Sequence, residues 1–135
     1  MSSSSLLCAS YSQYAQRMLD ANRVSADDVL ALSRQLPLSV TNVTSLIESK
    51  LPPHHDAEAA AAEALRKTRI LLMLAMMEFD LRHSPTEDSL NVITKTISSL
   101  ADAATLYALD VAYRALVEIH GEPRSDSTGE AMPLW

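Results

Sequence analysis

The chain has 135 residues, of which 47% are hydrophobic and 21% charged, and its formal charge is −6. That length is room for one domain, and the acidic balance excludes a general nucleic-acid or anionic-membrane binder, which needs a basic face. With two glycines, one Phe and one Trp there are too few turn formers and aromatics for a sheet protein, so the sequence predicts an all-α fold with a core of Leu, Met, Ile, Val and Ala.

Cys8 has no second cysteine to pair with, which suits a reducing cytoplasm. The opening MSSSSLLCAS lacks the charged start and long apolar stretch of a secretory signal, so a cytoplasmic location is expected. Ser5 can cap a first helix running through LLCASYSQYAQRMLDAN, with Leu7, Tyr11, Tyr14, Met18 and Leu19 at helical spacing. Tyr11 and Tyr14 read as half-buried packing residues, because no Lys or Arg is interleaved with them as a base-stacking platform requires. Asn22 and Arg23 read as a turn.

Ser25 with Asp28 forms a weak capping box that starts a second helix over 26–35, closed by Pro37. A third is expected over 38–51, with Val40, Val43, Ile47 and Leu51 on one side. Thr41, Asn42 and Thr44 lower its intrinsic propensity, since such side chains compete for backbone hydrogen bonds. His54, His55 and Asp56 are metal-ligand types, but adjacent residues do not share a helical face and the chain has no H-x-x-x-H or C-x-x-C spacing. They read as the solvated approach to a helix, and no metal site is expected.

The stretch AEAAAAEALRKTRILLMLAMMEFDLR, 57–82, organises the chain: strong helix formers without Gly or Pro, Asp56 as N-cap, and Glu58 where the helix dipole favours negative charge. Its 70–77 segment is apolar on every face, which predicts a central strut surrounded by other helices. That run of about eight residues is far below the roughly 18 that a membrane span needs. Arg66 and Arg69, three apart on the polar side, are either a solvated or ion-paired face or a contact for a neighbouring domain. Glu78 and Asp80 are two apart and point to different sides, a poor metal pair.

The segment SPTED at 84–88 announces the last helix, with Thr86 as N-cap and acids in the first turn. Leu90, Ile93, Ile97, Leu100, Ala104, Tyr107 and Val111 form a heptad-like seam. A second strip through Leu109, Ala112, Leu116 and Ile119 suits burial between helices of the same chain better than a coiled-coil dimer does. Gly121 is expected just beyond the helix and Pro123 blocks its continuation. The predicted architecture is a bundle of about five helices, two of them long, at about 56–83 and 86–120. A non-helical tail follows: SDSTGE, a polar hairpin-like or flexible loop, and then AMPLW. Trp135 after a polar loop reads as the start of a following domain's core, or else as a tail folding back on the helices. The expected division is 1–124 helical and 125–135 loop and beginning of the next domain.

The run ALRKTRILLMLAMMEFDL at 64–81, the acid-capped long helix, HGEPR at 120–124, and the polar loop with its apolar pair resemble the N-terminal region of the glutamine synthetase adenylyltransferase/adenylyl-removing enzymes. Arg66, Arg69, Asp80 and Leu81 match the helix pattern of that family. Phe79 stands where the family usually shows Arg, and Ile70 and Leu71 replace polar residues. The resemblance implies a parent nucleotidyltransferase using ATP and Mg, which adds AMP to glutamine synthetase and removes it by phosphorolysis under control of a PII-type signal protein and glutamine. The family's glycine-rich turn and metal-binding aspartates are absent from this chain, so no catalytic, cofactor or metal residue carries over and the 135 residues alone are expected to be inactive. Possible interdomain contacts are Arg66, Arg69, Asp80 and Trp135, and the apolar surface around Leu134–Trp135 and the late helix predicts self-association. The other class of reading is a free-standing helical interaction module, an adaptor or antitoxin-like partner, supported by the seam and the acidic charge.

Overall fold

The computed structural model describes residues 6–53 and 56–132. Among these residues the fold is all-α, with no β-strand and six helices: α1 Leu7–Tyr11, α2 Gln13–Asp20, α3 Ala26–Ser33, α4 Val40–Ser49, α5 Ala57–Arg82 and α6 Glu87–His120. α5 touches α1, α3, α4 and α6, and α6 packs on α4 as well, so α5 is the strut around which the other helices are placed. Leu71, Leu72, Leu74 and Ala75 of α5 are buried against Val29 and Leu32 of α3, Val43 and Ile47 of α4, and Cys8 and Ala15 near the start. Among the described residues no helix is long and apolar enough to cross a membrane.

The two long helices begin where the sequence marks them. Asp56 accepts hydrogen bonds from the amides of Glu58 and Ala59, and Thr86 forms a reciprocal capping box with Ser89. α4 has the same device, Ser39 with Asn42, so the Asn42 that lowers interior propensity is recruited at the third helical position. At the far end, the Gly121 amide donates to Val117 and the glycine takes φ 77°, which ends α6. Arg124 then pairs with Ala131 across a small hairpin, closed by Ser125 N–H to the Glu130 carbonyl at 2.8 Å, so the expected polar loop is hairpin-like.

Three expectations are corrected. The single first helix is two, because Ser12 takes an extended backbone and its side chain caps α2 through the Ala15 amide. Ser5, the expected cap, lies outside the described residues, and α1 follows Leu6, which provides no side-chain cap. Ser25 likewise makes no side-chain cap at the start of α3, so its capping box is not formed.

The third correction concerns which face of α6 is buried. Ser89, Thr96, Ser99 and Ala103 face inward, while Leu90 and Ile97 of the expected seam and Ala112, Leu116 and Ile119 of the second strip are exposed. Small side chains permit the close approach, and the buried Thr96 hydroxyl is satisfied: it donates to the Val92 carbonyl at 2.8 Å and accepts from the Leu38 amide. Toward its end α6 keeps an exposed apolar row through Leu106, Leu116 and Ile119.

Thr68 in the middle of α5 is fully buried, and its hydroxyl has no hydrogen-bond partner among the described residues. Burying an unpaired hydroxyl costs about 1–3 kcal/mol, so Thr68→Val, which keeps the shape and removes the polar atom, should stabilise the chain by about 1 kcal/mol. A urea unfolding midpoint that rises without a change in slope is the expected reading.

Candidate functional site

α2 ends through a change of backbone hand. Asn22 takes φ 54°, its amide donates to the Leu19 carbonyl, and the Arg23 amide donates to the Met18 carbonyl. This pair of bonds is the Schellman ending of a helix, with Asn as the left-handed residue. The turn sets Arg23 opposite the polar side of α5, across a groove of about 680 Å³ lined by Tyr14, Met18, Asn22, Arg23, Glu63, Arg66, Lys67, Arg69 and Ile70. The groove therefore combines four cations with one acid in a chain whose formal charge is −6. Lys67 is paired with Glu63 at 3.2 Å, whereas Arg23, Arg66 and Arg69 have no ion-pair partner among the described residues.

Past Arg23 and Lys67 the groove continues into a recess of about 380 Å³ that adds Lys50 and Asp28. On another flank, a groove of about 550 Å³ between α4, the start of α5 and the later part of α6 is acidic, with Glu48, Asp56, Glu58, Asp110 and Glu118 against Arg114. Positive potential is thus concentrated between α2 and α5.

A second cluster sets the α1–α2 pair against α5. The Glu78 side chain is fully buried, and its two oxygens accept hydrogen bonds from the amides of Leu7 at 3.0 Å and Cys8 at 2.9 Å. Those are the first two helical residues of α1, so a carboxylate about 70 positions away in sequence supplies the missing N-cap. Arg82 Nε, one turn on, donates to the same carboxylate at 2.7 Å. Burial alone pushes the Glu78 carboxyl up, but the Cys8 and Leu7 amides, the Cys8 thiol and Arg82 outweigh it and hold the group below the ordinary carboxylate value. The Cys8 thiol is pushed up to about 11, first by burial and then by the neighbouring Glu78.

Of the residues singled out in the sequence, Arg66 and Arg69 are brought together in the basic groove. Asp80 is exposed on the same helix, but 11 residues beyond Arg69 along a rise of 1.5 Å each, or about 16 Å away, so it does not share that groove. Trp135 lies outside the described residues, as do His54 and His55. Tyr14 was missed as a groove residue because the cations that share the groove come from α5 and from Arg23 in the turn beyond α2. Glu78 was missed as a cap because its partners are tertiary. Among the described residues no group of three His, Cys, Asp or Glu side chains could hold a metal ion. Glu78 turns into the core and Asp80 into solvent, so these two carboxylates do not face one another as a pair.

These features define a helical module built on one buried helix, with an arginine-lined groove on its flank. Its relationship follows from sequence comparison. The chain is 31% identical over 131 residues, 92% of its length, to the bifunctional glutamine synthetase adenylyltransferase/adenylyl-removing enzyme of Ralstonia nicotianae (strain ATCC BAA-1114 / GMI1000). It is a relative of that enzyme over this stretch, and it spans 13% of that protein's length. No family model and no solved structure matches the chain.

Proposed function

We propose that this chain serves as the helical platform of an enzyme that adenylylates and de-adenylylates glutamine synthetase, standing in front of the adenylyl-removing nucleotidyltransferase core. The observation that carries the proposal is the 31% identity extending over 92% of the chain. In this reading residues 1–124 form the platform and 125–135 lead into the next domain. The exposed row at the end of α6 is covered by that domain, and Arg66, Arg69 and Asp80 face a neighbouring part of the enzyme. The protein works in the cytoplasm, with glutamine synthetase and a PII-type signal protein as partners of the whole enzyme and ATP and magnesium used elsewhere in it.

The platform itself has no chemistry to perform. AMP transfer requires metal-bound carboxylates and a phosphate cradle near one reacting phosphorus, and Glu78 is committed to capping α1. Incubating the 135-residue chain with ATP, magnesium and glutamine synthetase should leave the synthetase unmodified. AMP transfer by the chain alone would refute the platform reading.

The contribution of the arginines is separable from stability. Both are exposed, and exposed charges contribute little to folding. Arg66→Ala/Arg69→Ala in the complete enzyme should therefore lower adenylyl removal about tenfold while the melting temperature moves by no more than about 2 °C. Equal removal rates in the double variant and the wild type would leave these side chains as a solvated face.

A further inference from the structure

We infer that the groove between α2 and α5 is a binding site for a nucleotide, with the phosphates held by Arg23, Arg66 and Arg69 and the base laid on Tyr14. The groove's volume of about 680 Å³ lies within the range of roughly 300–1,000 Å³ found for small-ligand sites. Its wall combines two chemistries. Met18 and Ile70 are half-buried and apolar, and the Tyr14 ring is 40% exposed, which leaves area for a flat ring to stack on. The three guanidiniums line the same groove from two separate segments, α5 and the turn after α2.

Guanidinium forks suit phosphate in particular, because they offer parallel N–H donors to paired oxygens. The turn supplies no competing amides, since the N–H groups of Ala21, Asn22 and Arg23 are all spent on carbonyls of α2. Recognition therefore falls to the side chains. The adjoining recess with Lys50 lets a polyphosphate run on past Arg23. An acidic polypeptide would meet the same cations, but it would leave the exposed ring and apolar wall without a matching flat group, and for that reason a nucleotide is the better occupant.

This inference deepens the proposal that Arg66 and Arg69 face a functional part of the enzyme, by giving that face a ligand. Its test uses the 135-residue chain without magnesium or glutamine synthetase, so its failure does not depend on the removal assay. In calorimetric titration at low salt, ATP should bind with a Kd of about 100 µM or tighter, and inorganic pyrophosphate about tenfold more weakly. Tyr14→Ala should weaken ATP several-fold and leave pyrophosphate unchanged. Arg66→Ala/Arg69→Ala should weaken both by at least about tenfold, while Arg66→Lys/Arg69→Lys, which keeps charge and loses the fork, should fall between. Circular dichroism of each variant should match the wild type. Equal binding of ATP and pyrophosphate with no effect of Tyr14→Ala overturns the nucleotide assignment. So does binding of oligoglutamate tighter than ATP, which would make the groove a seat for an acidic polypeptide.

Discussion

Glu78→Ala lowers the unfolding free energy by about 3 kcal/mol, a large share of the roughly 5–15 kcal/mol that stabilises a small domain. The loss has three sources. The amides of Leu7 and Cys8 lose their acceptor, Arg82 loses its partner, and the fully buried side chain leaves a cavity between α1 and α5. Glu78→Gln fills the cavity and keeps one oxygen as acceptor, so its loss is smaller, about 1.5–2 kcal/mol, the lower part of the range for one hydrogen bond to a charged group. Chemical denaturation of the two variants orders them: the idea is wrong if Gln costs as much as Ala, or if neither costs more than a surface substitution.

The same carboxylate sets an acid limb to the stability curve. Its folded pKa lies below its unfolded one, so its contribution is complete above the unfolded value, near 4.3, and is lost as pH falls through the lower folded value. Wild type and Glu78→Gln should therefore converge in stability as pH falls through the unfolded value and on through the lower folded one, whereas curves that stay parallel would show that the carboxylate is not the group being titrated. Cys8 acts with the opposite sign. Its thiol is raised in the fold to about 11, so the contribution is present below the unfolded value and fades as pH rises from there toward the folded one.

Elements whose causes are local in sequence were legible. Asp56, Thr86, Pro123 and Gly121 act within a few residues of themselves, and the two long helices, expected at about 56–83 and 86–120, are found at Ala57–Arg82 and Glu87–His120. Features whose partners come from elsewhere were not. Ser12 looks like any small residue in a helix, yet it takes an extended backbone and caps α2 through the Ala15 amide, while α1 is held at its start by the Glu78 carboxylate from far along the chain. In α6, Leu100 and Tyr107 of the expected seam pack against the core, but Leu90 and Ile97 are exposed and the most buried face is that of Ser89, Thr96, Ser99 and Ala103. Periodicity can show that a stripe exists, but which of two adjacent stripes is buried depends on the size of the facing residues. The basic groove is legible only in half, since Arg66 and Arg69 are visible on one helix while Tyr14 and Arg23 reach them only through the fold.

The 135-residue chain should self-associate at roughly tens of micromolar, through the later part of α6. Leu106, Leu116 and Ile119 are 53%, 49% and 73% exposed, and Leu109 and Tyr113 connect them along the helix. From 106 to 119 the row is about 20 Å long at 1.5 Å per residue, and a few hundred Å² of such surface at about 25 cal/mol per Å² is worth several kcal/mol. Soluble monomers rarely leave a patch of that extent open. A second copy offers the matching row, most simply antiparallel about a twofold axis so that each residue meets its symmetry counterpart's neighbours. The part of the expectation that involved Leu134 and Trp135 lies outside the described residues. Sedimentation of the wild type against Leu116→Asp/Ile119→Asp tests the α6 row, because both positions are exposed and the substitutions leave the core untouched. The wild type should sediment as a dimer and the double variant as a monomer of equal helicity. A wild type that stays monomeric and binds no apolar dye would show that these helices close their own surface, and a double variant that still dimerises would move the contact away from α6.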